Sequence, residues 1–256
     1  MALVPFRVAG AAADQSLETR TFQIGGHTLS IRQDPRGSGA LRTLRPTSGD
    51  AEEGAAATSD AGSTGRSSQR GEGLEMVGLV VWQSAFVLAE YLLRAPPFGQ
   101  WADVRAVDLG TGTGVVAIAL ALAGADMVGA DLPRVTPLAR DNAAANCRSP
   151  LHRMQIVDHA WGSPVAALGP RPDLITGADI VYEERCFEDL VATLRALAAP
   201  HTLVVLAYRL RGRGEAQFEA LLAASGFAVR QVPTAALHEE YRGGEYRVLR
   251  ASLLDP

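Results

Sequence analysis

The hydrophobic pattern is clearest between residues 104 and 131. A short apolar run at 104–109, interrupted by Arg105 and carrying Asp108, leads into Gly110, Thr111, Gly112, Thr113 and Gly114. An unbroken apolar stretch follows at 115–123, then a second short run at 126–130 that stops at Asp131. Short apolar runs bounded by turn residues read as buried strands, and the longer one as a helix, so this stretch predicts strand, glycine turn, helix, strand. Further along, the pattern predicts a helix at 133–146, strands at 154–157 and 173–176, and a helix at 187–197 with apolar residues every three or four positions. A nearly all-apolar strand at 201–208 reads as central in a sheet. A helix at 215–224 and strands at 227–232 and 246–253, expected to be antiparallel to one another, complete the chain.

Upstream, residues 22–32 alternate around Gly25-Gly26, the signature of a small hairpin. From 35 to 75 the chain is rich in Gly, Ser, Thr, Ala and Glu, with almost no large apolar residue after Leu44. Such a stretch buries too little to offset its ordering entropy and is expected to be disordered. Three units follow: an N-terminal arm with its hairpin at 1–34, the insert at 35–75, and the main domain at 76–256. Order resumes with Val77 to Trp82 and a helix at 85–93, stopped by Pro96-Pro97. Seven strands with helices between the first five predict an α/β fold, a mostly parallel Rossmann-like sheet with helices on both faces and an antiparallel end.

The ends of these strands carry the candidate chemistry. Asp108, Asp131, Asp158 and Asp179 all fall at or just beyond strand C-termini, the rim where open α/β sheets bind ligands. The glycine turn lets backbone approach a ligand beside a helix N-terminus, and Asp131 is placed to accept ribose hydroxyls. That suits any adenosine-bearing cofactor. The spacing Gly-x-Gly-x-Gly puts Val115 where the dinucleotide fingerprint needs glycine. Asp108, two residues before the first glycine, would repel pyrophosphate and attract a sulfonium or an ammonium. Both details favour S-adenosylmethionine. Trp82 is balanced between core residue and cofactor wall. Asp158 and Trp161 form a polar-aromatic pair suited to flank an adenine, and His159 reads as a surface loop residue. Arg209, Arg211 and Arg213 read as a solvated loop, with contact to an acidic protein substrate as the minority reading.

Composition narrows the setting. With 47% hydrophobic residues in 256, the chain can bury one sizeable core. A formal charge of −4 argues against charge-driven nucleic-acid binding. Cys147 and Cys186 lack metal-ligand spacing and read as thiols in a reducing compartment, so no metal is expected. No apolar run is long enough to span a membrane, and the first residues lack a signal-peptide core. A cytoplasmic monomer without a membrane or nucleic-acid partner is the expectation.

The chain resembles the seven-beta-strand protein-lysine methyltransferases of family 16, the methyltransferase-like 21 group. The resemblance rests on FQIGGHTLSIRQD at 22–34, VVWQSAFVLAEYL at 80–92, VDLGTGTGVVAIALALAGADMVGADLP at 107–133, DLITGADIVY at 173–182 and AYRLRGRGEAQF at 207–218. It implies methylation of a lysine on another protein, the family's substrates including chaperones, AAA ATPases and translation elongation factors. It also implies that Asp108 and Gly110 to Gly114 hold the methionine end of S-adenosylmethionine and that Asp131 holds the ribose. Trp82 and Trp161 would flank the cofactor, with Ala178 contributing backbone near the sulfonium. Asp179 and Tyr182 match the family's Asp-x-x-Tyr signature and are the catalytic candidates, and the arm at 22–34 would help close over cofactor and substrate. Ala160 departs from the family, which usually has a polar or acidic residue before the tryptophan; either Asp158 takes the adenine contact or that contact is missing. A small-molecule methyltransferase and a catalytically silent adaptor of the same fold are the alternatives. A nicotinamide oxidoreductase fits least, because the glycine spacing is wrong.

Overall fold

The computed structural model describes residues 16–35 and 76–254. Apart from Pro35, the insert expected to be disordered lies outside them. The arm is a hairpin of β1 (Thr19–Ile24) and β2 (His27–Arg32), with Ile24 opposite His27. Gly25 and Gly26, at φ +54° and +83°, make the two-residue turn whose backbone matches the twist of paired strands. The ladder starts at Thr19, earlier than the alternation from Phe22 indicates.

The main domain runs α1 (Gln83–Arg94), β3 (Arg105–Leu109), α2 (Val115–Leu122), β4 (Asp126–Asp131), α3 (Thr136–Asn146) and β5 (Met154–Asp158). It continues with β6 (Leu174–Ala178), α4 (Phe187–Leu197), β7 (Leu203–Arg209), α5 (Glu215–Ala224), β8 (Phe227–Gln231) and β9 (Tyr246–Leu253). These strands build one seven-stranded sheet, ordered β5-β4-β3-β6-β7-β9-β8. The five strands β3 to β7 are parallel, and β9 runs antiparallel to both its neighbours. The expected sheet is therefore present. From β3 the chain builds outward through β4 and β5, then returns to place β6 on the other side of β3. That reversal opens a crevice at the C-terminal ends of β3 and β6.

Two details differ from the sequence expectation. The crossover from β5 to β6 holds a single 3-10 turn, Val165–Leu168, in place of an α-helix, because Pro164, Gly169, Pro170 and Pro172 interrupt any longer run. Pro133 does not open α3, whose first residue is Thr136, with a proline in its first turn.

One sheet face packs against α1 and α2, and the hairpin lies on α1, α2 and α3, with Phe22, Ile24, Leu29 and Ile31 buried in the same core as Phe86 and Leu88. Phe22 meets Phe86 edge-on, ring centroids 4.7 Å apart. The wholly apolar α2 is buried here along nearly its whole length. The other face packs against α4 and α5, where Phe187, Leu190, Val191 and Leu194 form the 3–4 stripe anticipated for α4. No helix of the described residues is long and apolar enough to cross a membrane.

Among the described residues the outer edge of β2 has no neighbouring strand, and two asparagines on α3 take that place. Asn142 accepts from Arg32 N–H (2.8 Å) and donates to Arg32 C=O (2.9 Å), while Asn146 does the same for Ser30 (2.9 Å each). Four helical residues and two strand residues both advance about 6 Å, so the two rows register. Asn142 also donates to Thr113 C=O (2.9 Å), tying the arm to the glycine turn. With three bonds worth about 1 kcal/mol each and buried backbone groups left unpaired, Asn142→Ala is expected to cost about 2–4 kcal/mol in urea unfolding.

Candidate functional site

A cavity of about 260 Å³ lies at the crevice between β3 and β6. Its floor is the glycine turn. Gly110 and Gly112 hold φ +64° and +56°. A Cβ on Gly110 would stand 2.6 Å from Ile180 Cγ2 and 3.3 Å from Trp161 Cζ2, and one on Gly112 would stand 3.3 Å from Gly78 O. The cradle thus has no room for a side chain at Gly110 and little at Gly112, where the left-handed backbone also disfavours one. Thr111 lines it as well. Gly114 does not; at φ +90° it caps α2, and its missing Cβ gives room to Ile118.

Asp108 lines the cavity and is almost fully buried. Thr176 donates its hydroxyl to Oδ1 (2.6 Å) and Thr111 to Oδ2 (2.7 Å). Burial raises its pKa, and the two hydroxyl bonds oppose that shift. Asp131, at the end of β4, accepts from Gly112 N–H (2.8 Å) and Leu132 N–H (2.7 Å). Burial pushes its carboxyl up to about 6, against the pull of those two bonds. A carboxylate accepts a ribose hydroxyl better than a carboxylic acid does. The raised folded value means that lowering the pH through about 6 protonates Asp131. S-adenosylhomocysteine affinity is therefore expected to be flat above that pH and to fall below it, and Asp131→Asn to flatten the profile; calorimetric titration between pH 5 and 8 checks this.

Trp82, Trp161 and Ala178 also line the cavity, as does Tyr182, whose phenol burial pushes up to about 12, keeping it protonated. Asp179, the residue after β6, completes the wall. Its φ is +56°, a left-handed conformation that carboxylate residues tolerate better than most, and its N–H donates to Ala207 C=O (2.7 Å).

Asp158 is the exception among the four rim carboxylates. It does not line the cavity; its Oδ1 accepts from Thr136 Oγ1 (2.5 Å) and Arg140 Nη2 (2.6 Å) on α3. Those bonds hold its carboxyl below the usual range. Position across the sheet explains the outcome: Asp158 is the register partner of Asp131 but on the edge strand β5, one strand further from the β3–β6 crevice, where it meets α3. Neither Asp158 nor Ala160 thus brings a carboxylate to the adenine side of this cavity. His159, expected on the surface, is buried and lines the cavity; burial lowers its pKa, and its backbone N–H donates to Asp131 C=O (2.8 Å). No described residue of the arm lines the cavity. The arm acts at one remove: Gln33 Oε1 accepts from Val81 N–H (3.0 Å) and Leu79 C=O accepts from Asp34 N–H (2.9 Å), fastening the segment that delivers Trp82.

Arg211, read from the sequence as part of a solvated loop, packs against this wall instead. It sits over the Trp82 ring, 5.8 Å from its centroid, and its Nη1 meets Asp179 Oδ1 at 2.9 Å. The only sequence signal was its place just beyond β7, next to β6 in the sheet.

A sequence model of the lysine methyltransferase family matches residues 68–224, more than half the chain. Mouse (Mus musculus) protein N-lysine methyltransferase METTL21A is 30% identical over 226 residues, covering 87% of this chain and 86% of its own. Mouse EEF1A lysine methyltransferase 3 is 36% identical over 140 residues, 54% of this chain and 58% of its own. Among solved structures, a TehB-like S-adenosylmethionine-dependent methyltransferase from Corynebacterium glutamicum superposes with a TM-score of 0.52 at 19% identity, covering 73% of this chain and 95% of that one. Magnesium protoporphyrin IX methyltransferase from Synechocystis, with bound S-adenosylhomocysteine, also gives 0.52, at 17% identity over 76% of this chain and 90% of that one. A glycine cradle closed to side chains and a carboxylate at the tip of β4 fit the same cofactor. The chain belongs to the lysine methyltransferase family, in its methyltransferase-like 21 group, and S-adenosylmethionine is its cofactor.

Proposed function

We propose that this enzyme transfers a methyl group to the side-chain nitrogen of a lysine on another protein, in the cytoplasm, with a chaperone, an AAA ATPase or a translation elongation factor as the substrate. The names of the two mouse relatives support a protein lysine as acceptor, and that of the second supports an elongation factor. The observation that carries the reading is Asp179, held in a left-handed conformation on the wall of the cavity that Asp108 and Asp131 also line.

Bound S-adenosylmethionine supplies a methyl carbon on a positively charged sulfur. The protein's part is to place an amine in line with that carbon and keep water out. Asp108 and the backbone of 110–112 would hold the methionine end and Asp131 would accept from the ribose hydroxyls, with Trp82 and Trp161 walling the cavity. Ala178 would contribute backbone near the sulfonium. Asp179 draws in and aims the lysine nitrogen, and Tyr182 offers it a ring face or a hydroxyl. A lysine of pKa about 10.4 arrives charged and must lose its proton to solvent water before its nitrogen attacks the methyl carbon. Desolvation among Trp82, Ala85 and Ile180, all lining the cavity, favours that loss.

The test is incubation with tritium-labelled S-adenosylmethionine and a size-fractionated cytosolic extract, with mass spectrometry of any labelled band. A discrete protein band from the named classes is the expected result. Label only in the small-molecule fraction replaces the protein acceptor with a metabolite. S-adenosylhomocysteine binding without any transfer leaves a silent adaptor.

A further inference from the structure

Arg211 belongs to the loop 210–214 between β7 and α5, where a run of arginines and glycines ordinarily means solvated chain. This loop is pinned. Leu210 N–H donates to Glu245 C=O (2.8 Å), and the two carboxylate oxygens of Glu215 accept from Arg211 N–H (2.6 Å) and Arg213 N–H (2.7 Å). Gly212 and Gly214, at φ +66° and +81°, allow the turn between them. The side chains then diverge in role. Arg209 spends its guanidinium on Glu245 (2.9 Å), outside the cavity. Arg211 turns inward, over Trp82 and onto Asp179, leaving only 24% of its side chain exposed against 5% for Asp179.

Both bonds to the Asp179 carboxylate fall on one oxygen. Oδ1 accepts from Arg211 Nη1 (2.9 Å) and from Arg209 N–H (3.3 Å). Oδ2 accepts no hydrogen bond among the described residues, yet it is not a buried unpartnered atom. A carboxylate gripped on one oxygen has a fixed rotamer and a defined second oxygen.

We infer that Arg211 is the positioning residue of the transfer site: it clamps Asp179 through Oδ1 so that Oδ2 meets the substrate amine. The same pairing offsets the charge that, left alone, would hold the amine as an ammonium with no lone pair to attack. Arginine suits the post because its planar fork stacks on an indole while donating in plane to a carboxylate.

This inference rests on the reading of Asp179 as the residue that aims the lysine, and the experiment separates the two. Initial rates of tritium transfer to the cytosolic extract, and S-adenosylhomocysteine affinity, are measured for the unaltered enzyme, Arg211→Gln, Arg211→Lys, Asp179→Asn and the double variant Arg211→Gln/Asp179→Asn. Arg211→Gln is expected to lose roughly 100-fold in rate at unchanged cofactor affinity. Arg211→Lys, keeping the charge without the fork, should recover part of that loss. In the Asp179→Asn background Arg211→Gln should change the rate by less than about 3-fold, because the arginine acts through the carboxylate. Losses that multiply in the double variant, or a full rate in Arg211→Gln while Asp179→Asn is impaired, overturn the inference and leave the Asp179 reading standing. Lost cofactor binding in both Arg211 variants also overturns it, assigning the arginine to the fold or to the cofactor. A full rate in Asp179→Asn removes both.

Discussion

Replacing Asp179 with asparagine is expected to slow methyl transfer by about 10²–10³-fold, at nearly unchanged S-adenosylhomocysteine affinity. Asparagine keeps the size and can still accept from Arg211 with its amide oxygen. Its NH₂ then stands where Oδ2 was, so a donor faces the amine in place of an acceptor. Tyr182→Phe removes only a hydroxyl whose proton is firmly held, and the ring remains to wall the channel. Its expected loss is smaller, about 10–100-fold. Rates of tritium transfer alongside calorimetric cofactor binding separate a transfer defect from a binding defect. Full turnover in both variants would remove these residues from the chemistry.

The second large effect belongs to the cradle. Gly110→Ala places a methyl group 2.6 Å from Ile180 Cγ2, at φ +64°, on the floor of the cavity. The left-handed backbone alone costs an alanine about 1–2 kcal/mol. The clash adds to this and forces Ile180, or the turn itself, into the space the cofactor needs. S-adenosylhomocysteine affinity is expected to fall by more than about 100-fold, with the enzyme still folded, since a 1.4 kcal/mol loss is tenfold. Gly99→Ala is the control: it has a similar φ of +79° but nothing within 4 Å of the added methyl. A small stability loss without a binding defect is expected there. Equal cofactor affinity in Gly110→Ala and the unaltered enzyme would contradict the cradle assignment.

How far the sequence reaches is visible in particular residues. Short-range features were legible because turn chemistry and burial period are local: the Gly25-Gly26 hairpin, the glycine turn after β3, the stripe on α4 and the antiparallel β8-β9 pair. The cavity wall was legible where a residue directly follows a strand on the rim, as Gly110 and Asp179 do. Asp158 looked equivalent by that rule. It lies one strand further out, on the edge strand β5, where Arg140 of α3 takes its carboxylate, and the next residue, His159, is the one that lines the cavity. Arg211 depended on a contact that no window contains, because Ala178 and Ala207 are register partners and bring the loop after β7 beside Asp179. The separation of the described hairpin from the cavity was equally nonlocal, set by Asn142 and Asn146 holding β2 from across the fold.

The proposed role of the rim carboxylate Asp179 is in methyl transfer to lysine. Its most direct test is acid hydrolysis of the tritium-labelled protein followed by chromatography of the amino acids, for the unaltered enzyme and for Asp179→Asn. Tritium co-eluting with methylated lysine is expected from the unaltered enzyme, and close to none from the variant. Tritium on any other amino acid, or equal methyl-lysine from both, would contradict it.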